Sequence, residues 1–330
     1  MSGIANAGTI DVHAHAVLDE TMGAAGAHGP ELAADAEGQP FFRVGEYVLH
    51  GVKYRGSPFM EVDLRLAAMD AQGIDFQVLS PNPLTYFHFV GEADAVAFCR
   101  RHNDALAALV GAHPGRLAGF AALPMQAPNA AAEELHRAVE ELGLWGGYVG
   151  TDFGLRLNDP ALDVVYAAHV ELDRPLFIHP APVGIDGPAG DPALGQFDLD
   201  IVCGFAAQET LAVATLIFGG VLQRHPKLDI CLSHGGGATA LLHGRMADAA
   251  RKRPWAPEWL RADGAFDEQL QRLWFDVHMH DADSVELARR KLNGAHLVFG
   301  TNFAGWDAHS GDVRSFASEF ADNARALLRQ

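Results

Sequence analysis

The sequence predicts an α/β fold, a single (β/α)8 TIM barrel with long active-site loops after strands 1 and 5. Short apolar segments alternate with longer helical patterns, and eight such pairs follow one another. Several apolar segments are continuous, which is typical of strands buried on both faces of a parallel sheet. With 330 residues and 49% hydrophobic residues, one barrel domain over residues 1–330 is expected. An open doubly wound sheet is the alternative, but no GxGxxG or GxxxxGK[ST] motif supports it.

The predicted strands share short runs of aliphatic, β-branched and aromatic residues that end in polar or turn residues. In chain order they are Ile10–His13, Phe76–Ser80, Leu117–Leu123, Gly146–Gly150, Leu176–His179, Leu228–His234, Leu273–Val277 and Leu297–Thr301. A helical spacing of apolar residues follows each strand. The predicted helices lie near 61–73, 92–113, 129–143, 160–172, 205–225, 237–252, 282–293 and 311–329.

Two segments interrupt the alternation of strands and helices. Residues 16–58 follow strand 1 and are rich in Gly, Ala and short polar residues, and residues 180–204 follow strand 5 and contain several Pro and Gly. Loops of this length in a compact domain are usually functional or disordered. Because both follow strand C-termini, we expect them to form lids or pocket walls on the active-site face.

The composition excludes several classes of partner. A net charge of -18 argues against binding to nucleic acid or to an anionic membrane surface, and it requires a local cationic pocket for any anionic substrate. Cys99, Cys203 and Cys231 have no metal-binding spacing and lie in apolar segments, as expected for free thiols in the cytoplasm. The N-terminus lacks the pattern of a signal peptide, and no apolar run reaches 18 residues.

Four histidines lie where predicted strands end. His13 and His15 are two residues apart, so their side chains lie on one face of strand 1. His179 ends strand 5, and His234 ends strand 6. Since a barrel brings strand ends together around one opening, we expect a site for a divalent metal ion there. The alternative is that these histidines are buried structural residues.

The chain resembles the amidohydrolase superfamily, and more closely its branch typified by α-amino-β-carboxymuconate-ε-semialdehyde decarboxylase. The resemblance extends from about Ile10 to about Asn302. The motifs that carry it are Asp11-Val12-His13-Ala14-His15, Gly73-Ile74-Asp75-Phe76-Gln77-Val78-Leu79-Ser80, Leu123-Pro124-Met125-Gln126-Ala127-Pro128, Ile178-His179-Pro180, Phe218-Gly219-Gly220-Val221, Ser233-His234-Gly235-Gly236-Gly237 and Phe299-Gly300-Thr301.

This resemblance implies roles for several residues. His13, His15 and His179 are implied as metal ligands, and His234 as the acid/base that acts on bound water or on the substrate carbon. Arg245 matches an arginine that reaches the substrate carboxylate of a neighbouring subunit, which implies a homodimer. A second substrate arginine lies in the loop after strand 1, and Arg55 and Arg43 are both candidates for it.

The chain departs from the family pattern at Asn302, where the decarboxylases have an Asp that binds metal and contacts the catalytic His. A neutral amide is a weak ligand for Zn²⁺. Three interpretations follow: three histidines hold the ion with water, a carboxylate such as Asp307 or Asp276 replaces the Asp, or the metal is weakly held or absent. Asp276 ends strand 7, and its alternative role is a helix cap or a structural hydrogen bond.

The predicted pocket differs from that of the namesake decarboxylase. Ala181 follows His179-Pro180 where the family has a Trp. Phe87 and His88 follow strand 2, and Trp306 follows strand 8, so an aromatic-lined pocket for a planar carboxylate is expected, with loop packing as the alternative. His278 and His280 form another His-x-His, interpreted as loop residues, with an extra metal ligand as the alternative.

The predicted function is metal-dependent, non-oxidative decarboxylation of a small planar unsaturated or aromatic carboxylic acid. A hydrolase or hydratase of the same superfamily is the first alternative, and a metal-poor barrel that binds a small carboxylate is the second. The predicted cofactor is one divalent ion, zinc by its ligand chemistry, with manganese or another divalent ion as the alternative.

Overall fold

In the computed structural model, strands and helices alternate along the chain, as the sequence predicts. The structure describes residues 3–182, 191–303 and 305–330. The strands that pair in parallel are β1 (Ile10–Ala16), β5 (Phe76–Pro81), β6 (Leu117–Gly119), β7 (Ala121–Ala122), β8 (Gly147–Val149), β9 (Leu176–Ile178), β10 (Ile230–Leu232), β11 (Trp274–Asp276) and β12 (Leu297–Val298).

The helices lie close to their predicted positions. Their bounds are α1 (Val62–Gln72), α2 (Glu92–Ala112), α3 (Pro128–Glu140), α4 (Asp163–Glu171), α5 (Leu199–Val202), α6 (Gly204–Phe218), α7 (Val221–Arg224), α8 (Thr239–Lys252), α9 (Glu258–Arg261), α10 (Ala265–Leu270), α11 (Ala282–Lys291), α12 (Arg314–Ala317) and α13 (Ala321–Leu328). The short helices α9 and α10 were not predicted. The helix predicted near 205–225 is divided into α6 and α7 because Gly220 adopts a left-handed conformation between them.

The parallel strands form two ladders. One has the order β1-β5-β6, and the other has the order β12-β11-β10-β9-β8-β7. The predicted strand Leu117–Leu123 is divided at Phe120, so its two halves, β6 and β7, belong to different ladders. At the other end of the strand order, the Val12 amide donates to the Phe299 carbonyl at 3.0 Å, and an isolated parallel bridge joins Ala14 to Phe303. These contacts bring the last strand to the first.

The insertion at 16–58 contains secondary structure that the sequence did not predict. It includes an antiparallel sheet of β2 (Glu31–Ala34), β3 (Pro40–Val44) and β4 (Tyr47–His50). Phe42 and Tyr54 pack their rings at 5.0 Å inside the core, so this segment is anchored to the domain. In the predicted insertion at 180–204, residues 183–190 lie outside the described residues, and α5 begins at Leu199.

A layer of buried aromatic rings lies beneath the strand-end histidines. Tyr148 on β8 stacks on Phe177 on β9, with ring centroids 5.1 Å apart. The Tyr148 ring also lies 5.9 Å from that of His179, and the Phe177 ring 6.0 Å from that of His13. Burying each such side chain contributes about 1.5–3 kcal/mol. The aromatic layer therefore forms a rigid, apolar floor for the histidines.

The stretch Leu199–Phe218 is, within the described ranges, the one helical segment long and apolar enough to span a membrane. Length and composition alone are weak support for a membrane span, because core helices share them. In this fold α6 packs against α8, and its Glu209 is fully buried beside His234. The segment is therefore part of the wall around the strand ends.

Candidate functional site

His13, His15 and His179 converge at the C-terminal ends of β1 and β9. All three side chains are buried, and each offers a ring nitrogen within 4.8 Å of the others'. The His179 ring lies 4.8 Å from that of His13 and 4.7 Å from that of His15. The predicted set of metal ligands is thus assembled in one place.

Acceptor groups fix the orientation of each of these rings. The Nδ1 of His13 lies 2.7 Å from Asp276 Oδ2, that of His15 lies 3.1 Å from the Pro81 carbonyl, and that of His179 lies 2.6 Å from the Pro180 carbonyl. Carbonyls and ionised carboxylates only accept hydrogen bonds, so each Nδ1 carries the hydrogen. In each neutral ring, Nε2 therefore presents a lone pair.

Two of these lone pairs face each other. The Nε2 atoms of His13 and His15 are 3.3 Å apart, and His179 Nε2 is buried without a hydrogen-bond partner among the described residues. Burial lowers the pKa of His15 to about 3, and burial together with neighbouring histidines holds the pKa values of His13 and His179 well below their usual range. Because a proton binds poorly here, a metal cation is the group that matches these donors.

Asp276 ends β11 as predicted and is fully buried. Burial raises the pKa of its carboxyl. One oxygen accepts from His13 Nδ1, and the other accepts the His278 backbone amide at 3.0 Å. Asp276 therefore binds the Nδ1 atom of His13 and leaves Nε2 uncovered. This contact orients the His13 ring.

His234 follows β10 and is held by a residue that the sequence analysis missed. Its Nδ1 donates to Glu209 Oε1 at 2.9 Å, and the Ser233 hydroxyl donates to the same oxygen. The His234 ring lies 5.1 Å from that of His13 and 5.0 Å from that of His179. Glu209 is the one acidic residue in the apolar sequence of α6, and this isolation is the feature of the sequence that could have indicated its role.

The electrostatics of His234 differ from those of the three clustered histidines. Burial lowers its pKa, but the charge and hydrogen bond of Glu209, with the charges of Asp276 and Asp307, outweigh burial and raise the pKa to about 9. Burial raises the pKa of Glu209, which remains 0% exposed. The pair can therefore hold a proton beside the cluster at neutral pH.

Asn302 follows β12 and is buried, and its amide contacts a carboxylate. It adopts a left-handed conformation, with φ 48°, that Asn tolerates better than most residues. Its Nδ2 donates to Asp307 Oδ1 at 2.6 Å. Asp307 Oδ2 lies 3.2 Å from His278 Nε2 and 3.4 Å from His280 Nε2. Of the two carboxylates predicted to compensate for Asn302, only Asp307 contacts it directly.

The predicted pocket aromatics occupy different environments. Phe87 is fully buried and packs on Phe98 with centroids 4.4 Å apart, as in ordinary loop packing. His88 is buried and stacks on Tyr86, whose hydroxyl donates to the His179 carbonyl at 3.3 Å. Burial lowers the pKa of His88 to about 3. The Trp306 side chain is 73% exposed.

Within the described part of the chain, the contacts of the three predicted substrate arginines do not include the clustered histidines. Arg43 donates to Glu31 and to the Ala27 and Gly45 carbonyls. Arg55 is exposed and pairs with Asp19 at 2.6 Å. Arg245 is exposed on α8. As substrate contacts, all three remain predictions.

A fourth arginine, missed in the sequence, supports β1. Arg65 on α1 is 2% exposed and donates to the His15 carbonyl at 2.6 Å and to Gln77 at 2.7 Å. Its guanidinium also lies 4.8 Å from the centre of the Phe303 ring. Burial lowers its pKa to about 9. Arg65 thus fixes the backbone that carries His15.

Comparisons with known proteins give matches over most of this chain. A family model described as amidohydrolase matches residues 10–329. The chain is 30% identical over 242 residues to 2-amino-3-carboxymuconate-6-semialdehyde decarboxylase from Dictyostelium discoideum, covering 73% of this chain and 66% of that protein. It is 35% identical over 194 residues to gamma-resorcylate decarboxylase from Rhodococcus jostii (strain RHA1), covering 54% and 58%. The chain thus spans less than two thirds of the length of either relative.

A solved structure shares the fold. It is a dihydroxybenzoic acid decarboxylase from Polaromonas sp. JS666 with bound manganese and the inhibitor 2-nitroresorcinol. The TM-score is 0.71 at 21% identity, and the alignment covers 97% of this chain and 96% of that one.

Proposed function

Since this chain belongs to the amidohydrolase family, we propose that it is a metal-dependent, non-oxidative decarboxylase of a small planar unsaturated or aromatic carboxylic acid. Two relatives support this substrate class, because their names describe decarboxylases of an unsaturated and of an aromatic carboxylate. We also propose that the strands close into a complete barrel, for which the bridge between Ala14 and Phe303 is the support.

The observation that carries the proposal is the contact between the Nε2 atoms of His13 and His15. Two lone pairs 3.3 Å apart repel unless a cation lies between them, and ligands bound to one Zn²⁺ at 2.0–2.1 Å are separated by about this distance. His179 Nε2, buried without a partner among the described residues, supplies the third donor. The residues present therefore fit a divalent metal ion.

Imidazole donors favour zinc, and manganese is the alternative because the structural neighbour binds it. When bound, the ion would orient the substrate and stabilise the negative charge that develops as CO₂ leaves. Asn302 is neutral and adds no charge to this site. The electrostatic potential at the site is therefore set by the three histidines and Asp276.

His234 is the proposed proton donor. The bond between the substrate carbon and its carboxylate breaks, CO₂ leaves, and the electron pair remains on the carbon. That carbon takes the proton from His234 Nε2, because Nδ1 is committed to Glu209. A positioned acid of this kind typically contributes about 10²–10⁴-fold to the rate.

Arg245 and a homodimer belong to the same proposal. Arg245 is exposed on α8, and the same helix exposes 73% of Leu241. On the neighbouring α6, Leu211 is 67% exposed. Exposed leucines on two neighbouring helices, one of them a helical turn from Arg245, suit an interface with a second copy of the chain. That copy would cover the leucines and receive Arg245 near its carboxylate substrate.

The test is CO₂ release from a panel of hydroxylated aromatic and unsaturated carboxylates by the metal-loaded protein. We expect release that stops when a chelator removes the metal and returns when the metal is restored. Clear turnover of another kind, without CO₂, would contradict the proposal.

A further inference from the structure

A second cluster of ligand side chains lies beside the three-histidine cluster. It consists of His234, His278 and Asp307, which follow β10, β11 and β12. Each offers a ligand atom within 4.8 Å of the others'. The ring of His13 lies 5.1 Å from that of His234 and 5.7 Å from that of His278, so the two clusters are adjacent.

Two donor atoms of this second cluster, His278 Nε2 and Asp307 Oδ2, are hydrogen-bonded to each other, and a cation can replace the proton between them. Because His234 Nδ1 donates to Glu209, its Nε2 is the remaining ring donor. His278 Nε2 faces Asp307 Oδ2 at 3.2 Å, a separation that two ligands of one divalent ion adopt. The other nitrogen of His278 is buried without a partner within the described part of the chain, so His278 is not fully satisfied by protein groups.

The surrounding residues hold the cluster in place. Asn302 donates to one oxygen of Asp307, which leaves the other oxygen facing His278. Asp276 accepts the His278 amide with one oxygen and contacts His13 with the other, so one carboxylate supports both clusters. The Asp307 side chain is only 10% exposed. These outer contacts are the kind that orient metal ligands.

We propose that His234, His278 and Asp307 form a second divalent-cation site, next to the one held by His13, His15 and His179. Two imidazoles and one carboxylate suit Zn²⁺ or a similar ion, with open positions for water or substrate. The site itself does not depend on decarboxylation. Its consequence rests on the proposed function: an ion on His234 Nε2 occupies the atom that would donate the proton, so the two roles exclude each other.

The test is the number of Zn²⁺ ions bound per chain after metal stripping, measured by titration calorimetry and elemental analysis without substrate. We expect the wild type to bind one more ion than Asp307→Asn, which retains the ion of the three-histidine site as an internal sign of correct folding. Asp312→Asn is the matched control, since Asp312 is an exposed carboxylate on the same segment that pairs with Arg314. It should bind as many ions as the wild type.

Equal numbers of ions in the wild type and Asp307→Asn would overturn the second site. Because no substrate is present, that result is independent of whether the protein decarboxylates anything. Absence of CO₂ release with an ion in the three-histidine site only, where His234 Nε2 is free to donate, would instead contradict the proposed function alone.

Discussion

At the scale of single residues, Asn302 is the position where the chain departs from the family pattern, and its contact with Asp307 gives a physical reason for the amide. The amide donates to a carboxylate that several histidines surround. Although burial alone raises the pKa of Asp307, its hydrogen bond with His278 and the nearby histidines hold that pKa below its ordinary value. Asp307 is therefore charged, and an aspartate at 302 would face it with a like charge.

The substitution Asn302→Asp tests this interpretation. We expect a loss of about 1–3 kcal/mol in the free energy of unfolding, because a donated hydrogen bond becomes a repulsion. Asn302→Gly removes the donor without adding charge or straining the left-handed φ of 48°, so it should cost less. Chemical denaturation of both variants measures the difference. A more stable Asn302→Asp protein would contradict the interpretation.

Glu209 is predicted to set the protonation of His234. Its charge and hydrogen bond raise the pKa of His234 to about 9, so the proton is held at neutral pH and lost as the pH rises through that value. Glu209→Gln removes the charge, so the pKa falls and the basic limb of the activity profile should move to lower pH.

Glu46→Gln, at an exposed position, is the control for this measurement and should leave the profile unchanged. The pH dependence of kcat/KM for the wild type and both variants gives the answer. A basic limb at the same pH in Glu209→Gln would show that Glu209 does not tune the donor.

At the scale of elements, the turn after β10 brings His234 against α6. Gly235, Gly236 and Gly237 have φ values of 63°, 66° and 64°, which other residues rarely adopt. A Cβ at Gly237 would lie 2.0 Å from the Ala206 carbonyl oxygen in α6. Glycine therefore permits the close approach that places His234 within hydrogen-bonding distance of Glu209.

Gly237→Ala should therefore destabilise the protein by more than about 1 kcal/mol, since a strained φ and a backbone collision add together. Gly244→Ala is the matched control: it lies within α8 with open space around its Cα, so alanine should be neutral or stabilise by about 0.5–1 kcal/mol. Thermal and chemical unfolding of the two variants compare them. Equal stabilities would show that the turn does not need glycine at 237.

At the scale of the whole molecule, the parallel fold gathers residues that are distant in sequence at one set of strand ends. Hydrophobic periodicity was sufficient to predict the order of strands and helices, and the family resemblance is confirmed by the match over residues 10–329. His13, His15 and His179 were predictable because strand alternation and strand ends specify their positions.

Other parts of the molecule could not be predicted, for physical reasons. The sheet of β2, β3 and β4 has short strands in a Gly-rich segment with weak alternation. Glu209 and Arg65 act through contacts between a helix and a strand, and helix–strand register is not encoded by a local pattern. Asp307 was named from the sequence only as one of two candidate carboxylates, because it lies in a loop, where no periodicity specifies its contacts.

The metal-free protein should lose stability as the pH falls below about 6.5. Burial lowers the pKa values of His13, His15 and His179 in the folded state, so the unfolded chain binds more protons there. Each histidine then contributes up to about 1.4 kcal/mol per pH unit. His179→Asn should show a shallower dependence between pH 5 and 6 in chemical denaturation. An unchanged slope would contradict the lowered pKa of His179.

The central claim, metal-dependent decarboxylation, is tested most directly by one isotope experiment. Metal-loaded protein is incubated with carboxyl-¹³C-labelled planar acids in ¹⁸O water, and products are identified by mass spectrometry. Decarboxylation predicts that the ¹³C leaves as CO₂ and that the organic product contains no ¹⁸O. A product that keeps its ¹³C carboxyl group and gains ¹⁸O would contradict the account and identify a hydrolase or hydratase.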